Sequence, residues 1–319
     1  MQPLSISRYS LVNSLGAGAA ATLAALREKE SGLTRCDFET VALETYIGEV
    51  SGLDAVTMPP ALAAYDCRNN RLALMGLELD GFAAAVASTR ERYGAHRIGV
   101  FMGTSTSGIL ETELAYRRLD AATGALPTGF RYAETQNTFS LADFVQRCLG
   151  LKGPAFVVSS ACSSSAKVFA HAARMLEAGV CDAAVVGGVD SLCLTTLYGF
   201  NSLGLTSRAP CRPFDVDRDG ISIGEGAGFA LLEKSRIALS EGRLDTAAAQ
   251  VAEAGAAAFW THEIFRGTYG NDLHDAEMGK ARLELFRGGT GAIAMLEAQI
   301  GVAESLGRTR RVAKLRGLL

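Results

Sequence analysis

The stretch Ala161-Cys162-Ser163-Ser164-Ser165-Ala166 places a thiol between a strand-like run and a helix-like one. The preceding Gly153-Pro154-Ala155-Phe156-Val157-Val158 is short, β-branched or aromatic and bounded by Gly-Pro, so it fits a buried strand. Beyond it Val168, Ala172, Met175 and Leu176 recur at helical spacing until Gly179 stops the pattern. Cys162 thus falls at a predicted helix N-terminus, where backbone N–H groups and the positive dipole end favour a thiolate and can hold an oxyanion. Two readings stand on this local pattern: a nucleophile, or one more cysteine acting as a small buried hydrophobe.

The elements that must position such a thiol alternate along the chain in the order of a layered α/β protein. A strand is expected over Ser5–Asn13, a tight turn at Gly16-Ala17-Gly18 and an Ala-rich helix through Leu26. Asp37–Pro60 reads as irregular, and Leu72–Tyr93 as helical. Arg97–Met102 reads as a central strand running into Gly103-Thr104-Ser105-Thr106-Ser107-Gly108, small polar residues placed for a site. Helices follow over Ile109–Arg118 and Asn137–Leu149, then a buried strand over Cys181–Asp190. Pro210–Gly220 is rich in turn chemistry, and Gly224-Glu225-Gly226-Ala227-Gly228 leads into an apolar strand from Phe229 to Leu232.

The 319 residues carry 48% hydrophobic side chains and a net charge of −3. That balance gives no support for nucleic-acid binding, no run is long and apolar enough to span a bilayer, and the expected compartment is the cytoplasm. Seven cysteines without a C-x-x-C pair or histidine neighbours argue against a disulfide framework or a zinc site. The basic tail Arg308–Arg316 reads as a solvated terminal helix or a docking patch.

Four motifs together carry a resemblance: Gly103-Thr104-Ser105, Ala161-Cys162-Ser163-Ser164, Val186-Gly187-Gly188-Val189-Asp190, and Cys211-Arg212-Pro213-Phe214-Asp215 through Arg218-Asp219-Gly220 to Gly224–Gly228. In order and spacing they resemble the first half of a β-ketoacyl-acyl-carrier-protein synthase, a condensing enzyme of the thiolase superfamily, over about Ser5–Glu233. The resemblance implies an α/β, thiolase-like layered αβαβα fold and a homodimer. It divides the chain into residues 1–235, the half with the nucleophile, and residues 236–319, a shortened and divergent second half. It also implies acylation of Cys162 by acyl carrier protein, then decarboxylative Claisen condensation with malonyl-carrier protein in fatty-acid or polyketide-type synthesis, with the backbone N–H of Cys162 as an oxyanion donor. Thr104, Asn137, Thr138 and Phe200 are the expected substrate-pocket residues. No bound cofactor or metal is implied, since the phosphopantetheine arm arrives on the carrier protein.

After Glu233 only 86 residues remain, and the two histidines with which relatives hold the enolate have no clear counterpart. Arg266, in Arg266-Gly267-Thr268, stands where the first would lie; an arginine there holds an enolate oxygen but cannot exchange a proton. Gly288-Gly289-Thr290-Gly291-Ala292 echoes the second segment without its histidine. Lys280 is a candidate for the family lysine, and His262 or His274 for a replacement histidine. Three readings follow: a working synthase, an acyl-transfer-only remnant, and a noncatalytic member serving as dimer partner or carrier-protein binder.

Overall fold

A computed structural model describes residues 4–234 and the isolated positions 297, 300 and 301. The chain divides into two units, Met1–Lys234 and Ser235–Leu319. In chain order the described elements are β1 (Leu4–Asn13), β2 (Gly16–Ala17), α1 (Ala19–Glu28), β3 (Thr34–Arg35), β4 (Tyr46–Gly48), α2 (Arg68–Glu78), α3 (Phe82–Tyr93), β5 (Ile98–Gly103), α4 (Ile109–Tyr116), α5 (Phe139–Cys148), β6 (Ala155–Val158), α6 (Ser164–Glu177), β7 (Ala183–Asp190), α7 (Leu194–Ser202), β8 (Ile223–Gly224) and β9 (Gly226–Lys234).

Six strands form one mixed sheet in the order β2-β1-β9-β7-β5-β6, and β3-β4-β8 form a small second one. Strand β5 lies parallel to both β6 and β7, with Val100 opposite Ala155 and Val185, whereas β9 runs antiparallel between β7 and β1. Parallel strands need crossovers, and α6 carries the chain from β6 past β5 to β7 on its far side. All six residues of β5 are buried, which is what a continuous apolar run in a sheet covered on both faces produces.

The period of two sorts the strand side chains between two cores. Val100, Met102, Val185, Phe229 and Leu231 face one way and pack with side chains of α2, α3 and α5. Phe101, Ala184, Val186, Ala230 and Leu232 face the other way, against Val168, Ala172 and Leu176 of α6. Those α6 residues follow Ser164 at intervals of four, so one stripe of the helix meets the sheet while Phe169 stays exposed. The described residues therefore build three layers: helices, sheet and α6. Fully burying each Leu, Val or Phe of these cores contributes about 1.5–3 kcal/mol, offset largely by conformational entropy.

Several sequence expectations change here. The apolar run Leu72–Tyr93 is two helices, α2 and α3, because Asp80 (φ 54°) and Gly81 (φ 69°) take left-handed conformations between them. Asp80 spends its carboxylate on the amides of Leu11 and Ala19, capping α1. Strand β6 is not buried: it is the sheet edge, with Phe156 44% exposed. Asp37–Pro60 contains β4, whose pairing with β8 is long-range and leaves no local periodicity. The Gly16-Ala17-Gly18 turn includes the short strand β2, and α7 lies in Leu194–Ser202, a stretch given no element from sequence. Among the described residues no single helix is long and apolar enough to cross a membrane.

Candidate active site at the ends of three parallel strands

Strands β5, β6 and β7 end side by side, and the chain leaving β6 turns sharply into α6. Thr104 N donates to Val158 O at 3.2 Å, joining the exits of β5 and β6. Ala161 has φ 53°, a left-handed conformation that costs a residue with a Cβ about 1 kcal/mol. Serines hold it there. Ser164 Oγ accepts from Ser160 N at 2.9 Å and donates to Ala161 O at 2.7 Å, while Ser163 Oγ donates to Ser160 O at 2.9 Å. Ser164 opens α6 and is buried, whereas Cys162, two residues earlier, is exposed. Its thiol is thus presented from a fixed turn just ahead of a helix N-terminus, where backbone N–H groups point outward.

The turn rests on bare backbone. Gly103 and Gly188 are register partners at the ends of β5 and β7. A Cβ on Gly103 would lie 2.8 Å from Ser164 C and Ser165 N, and one on Gly188 2.1 Å from Ser165 Oγ. A side chain on Gly103 would meet backbone and push the first turn of α6, and Cys162 with it, off the sheet, whereas one on Gly188 would first turn the Ser165 hydroxyl aside.

Asp190, the last residue of β7, fastens the loop that leaves β5. Its Oδ1 accepts from Ser105 N (2.6 Å), Thr106 N (2.9 Å), Thr106 Oγ1 (3.0 Å) and Thr104 Oγ1 (3.1 Å). Ser107 (φ 47°) closes the loop, its N–H donating to Thr104 Oγ1 at 2.9 Å. Thr104 is fully buried and its hydroxyl bonded on both sides, so it braces the loop and does not line an open pocket.

Arg68 and Glu225 form a buried ion pair that Glu49 and Asp54 join from the more exposed side. Arg68 donates to Glu225 through Nε (2.8 Å) and Nη2 (2.6 Å), and also to Glu49 (2.8 Å) and Asp54 (2.9 Å), with its guanidinium 5.0 Å from the Phe38 ring. Glu225, its side chain fully buried, also accepts from the amides of Val50 and Leu192 at 3.0 Å each. Burial works against the charge on Arg68, but the hydrogen bonds and charge of Glu225 outweigh it and raise its pKa. Burial raises the Glu49 pKa despite Arg68. The cluster therefore ties α2, the loop before it and the exit of β7 to the β8–β9 junction. Glu113 plays a smaller part, accepting from the amides of Leu194 (2.9 Å) and Thr195 (2.7 Å) and so capping α7.

The other thiols are set apart from Cys162. Burial pushes Cys67 up to about 12 and Cys148 up to about 11, and raises Cys193. Cys181 is buried, while Cys36 and Cys211 are partly so. Among the described residues no group of three or more His, Cys, Asp or Glu side chains is arranged to hold a metal ion.

Of the residues expected from sequence, Asn137 and Thr138 are exposed, joined to the β5 exit where the single Ser107 O–H is shared between Thr135 O and Asn137 O, each 3.1 Å away. Phe200 lies half-buried on α7. His96 is exposed just before β5, and His171 exposed on α6. Arg266, Lys280, His262, His274 and Gly288–Ala292 lie outside the described residues. Sequence reasoning missed the supporting roles of Arg68, Asn69, Asn70 and Glu225. The run of four polar residues Arg68-Asn69-Asn70-Arg71 opening the apolar helix was the available signal.

Residues 74–238 match the family described as "Beta-ketoacyl synthase, N-terminal domain". The chain is 33% identical over 165 residues to Nodulation protein E of Rhizobium sp. (strain N33), covering 51% of this chain and 40% of that protein. It is 30% identical over 220 residues to Nodulation protein E of Rhizobium meliloti (strain 1021), covering 66% and 54%. The chain thus spans about half the length of the curated relatives it matches. Among solved structures, the ketosynthase (ApeO) in complex with its chain length factor (ApeC) from Xenorhabdus doucetiae matches with a TM-score of 0.64 at 32% identity, over 73% of this chain and 58% of that one.

Proposed function

We propose, from the premise that the chain belongs to the β-ketoacyl synthase family and shares its thiolase-like α/β fold, that it is a ketosynthase-type condensing enzyme with Cys162 as its nucleophile. In the first half-reaction the Cys162 thiolate attacks the thioester carbonyl of an acyl-carrier protein. The tetrahedral oxyanion collapses, the carbon–sulfur bond to phosphopantetheine breaks, and the carrier thiol leaves with a proton. In the second, malonyl-carrier protein loses carbon dioxide, its carbanion attacks the acyl carbonyl, and the Cys162 thiolate departs.

The observation that carries this reading is the one exposed cysteine, seated on a left-handed turn whose floor is the glycine backbone of β5 and β7. The Cys162 N–H, just ahead of α6, is assigned as an oxyanion donor. By the resemblance, Arg266 is assigned to hold the enolate oxygen of the second step and Lys280 to stand for the family lysine. Asn137, Thr138 and Phe200 are assigned to the acyl site. Pairing with a second ketosynthase-like subunit, like or unlike, is supported by the sheet edge at β6, where Phe156 is half-exposed, and by the complex that the similar ketosynthase ApeO forms with its chain length factor.

The test follows the condensation product. The full chain, charged from acyl-carrier protein, is mixed with malonyl-carrier protein and the carrier-bound products are weighed. A β-ketoacyl product two carbons longer than the donor is expected. An acyl-enzyme that malonyl-carrier protein leaves untouched would limit the protein to acyl transfer.

A further inference from the structure

Three consecutive side chains open α2, and each reaches a different loop at the site end of the sheet. Arg68 holds Glu225, at the β8–β9 junction. Asn69 is 1% exposed, and its Oδ1 faces Thr106 Oγ1 at 3.4 Å, in the loop leaving β5. Asn70 is 1% exposed too, and its Nδ2 donates to Tyr65 O at 2.9 Å, with Ser140 Oγ at 3.3 Å and Glu134 O at 3.4 Å. The helix presenting them is fixed: a Cβ on Gly76 would lie 2.9 Å from the Phe229 ring, so α2 sits hard against β9.

Asn70 thus touches the segment from Tyr132 to Ser140 at two points; the segment is a single wide helical turn (Tyr132–Gln136) followed by the start of α5. Ser140, whose hydroxyl donates to Glu134 O, shares the task, and Ser107 fixes the same segment to the exit of β5. The segment carries two exposed aromatic side chains, Tyr132 (60%) and Phe139 (45%), and Ser107 ties it to the β5 exit, which Thr104 N joins to the β6 exit that leads to Cys162. Its buried anchors to the rest of the fold are the hydrogen bonds made by Asn70, Ser107 and Ser140, so the placement of those rings depends on a few polar groups.

We propose that Asn70 is a positioning residue that sets where Tyr132–Phe139 lies and thereby the length of apolar chain that can reach Cys162. In its biological meaning, selection among acyl thioesters, the proposal rests on the ketosynthase reading above. Its test does not, because alkylating probes react with Cys162 whether or not a carrier protein does.

The rates of Cys162 modification by iodoacetamide and by N-octyl iodoacetamide are measured on the full chain, for wild type, Asn70→Ala and Ser140→Ala. The small probe reports the thiol and its turn; the ratio of the two reports the apolar approach. The ratio should change by about tenfold in Asn70→Ala, in line with the discrimination a single mis-set hydrophobic contact carries. Ser140→Ala should shift it the same way, and the iodoacetamide rate should stay as in wild type. A merely structural role would alter both probes together, and that result, or an unchanged ratio, overturns the proposal. If Asn70→Ala loses its cooperative melt, Ser140→Ala decides by the same criterion. Failure of acyl-carrier protein to charge Cys162 would count against the ketosynthase reading alone.

Discussion

Ser165 sits on Gly103 backbone to backbone, since a Cβ added to Gly103 would lie 2.8 Å from Ser165 N and 3.0 Å from Ser165 Cα. The fit sets the height of the first turn of α6 above β5, and so the place of Cys162. Gly103→Ala should slow acylation of Cys162 by acyl-carrier protein by about tenfold or more, because displacements near 1 Å at a reacting group are that costly. Gly188→Ala should slow it less, as the Ser165 hydroxyl can turn aside and the remaining contacts are Ser165 Cβ at 3.1 Å and Gly103 O at 3.5 Å. A Gly103→Ala protein that is acylated as fast as wild type would show that the glycine does not set the turn.

Asp190 gathers four donors on one oxygen, so its loss leaves the Thr104–Ser107 loop unfastened. Asp190→Ala should cost about 2–3 kcal/mol in urea unfolding, the range for hydrogen bonds to a charged acceptor. Thr104→Val, which removes one hydroxyl from the same knot, should cost about 1 kcal/mol.

The Arg68–Glu225 pair is buried, and breaking it strands a carboxylate that no water reaches. Arg68→Ala should cost about 3–5 kcal/mol, whereas Arg68→Met combined with Glu225→Gln should cost clearly less because neither charge is left alone. Arg68→Lys should behave like the alanine variant: one ammonium cannot serve both Glu225 oxygens together with Glu49 and Asp54. Thermal melts of the four proteins check this order.

Burial raises the Glu111 carboxyl above its ordinary 4.5, more than the attraction of Arg71 lowers it. A carboxyl raised on folding contributes stability below its unfolded pKa and loses it as pH rises through the folded pKa. Glu111→Gln should therefore melt with wild type at acid pH and above it at pH 7. A variant that melts lower at pH 7 would contradict the sign.

The strands and helices that carry the site were legible because their apolar periods are local: Ile98–Gly103, Ser164–Glu177 and Ala183–Asp190 each show their spacing within a few residues. Cys162 was legible for the same reason, as a thiol between two such patterns. What fixes the thiol was not. Gly103 and Gly188 matter only because α6 descends on them, and Asp190 only because β5 and β7 end together. Arg68 and Glu225 are 157 residues apart, and nothing in either neighbourhood signals the other. The edge position of β6 was misread because Ala155–Val158 is as apolar as a central strand; exposure there depends on having one sheet neighbour instead of two.

We propose Cys162 as the acyl acceptor because the turn before α6 presents it. The most direct measurement is to incubate the full chain with acyl-carrier protein, digest it under acidic conditions, and locate the thioester by peptide mass, with Cys162→Ala beside it. One acyl group is expected, on the peptide that contains Cys162, with none on the peptides of the partly buried Cys36, Cys148 and Cys211 and none in the variant. Acyl groups on another cysteine, equal acylation of Cys162→Ala, or no adduct on the wild type would contradict it.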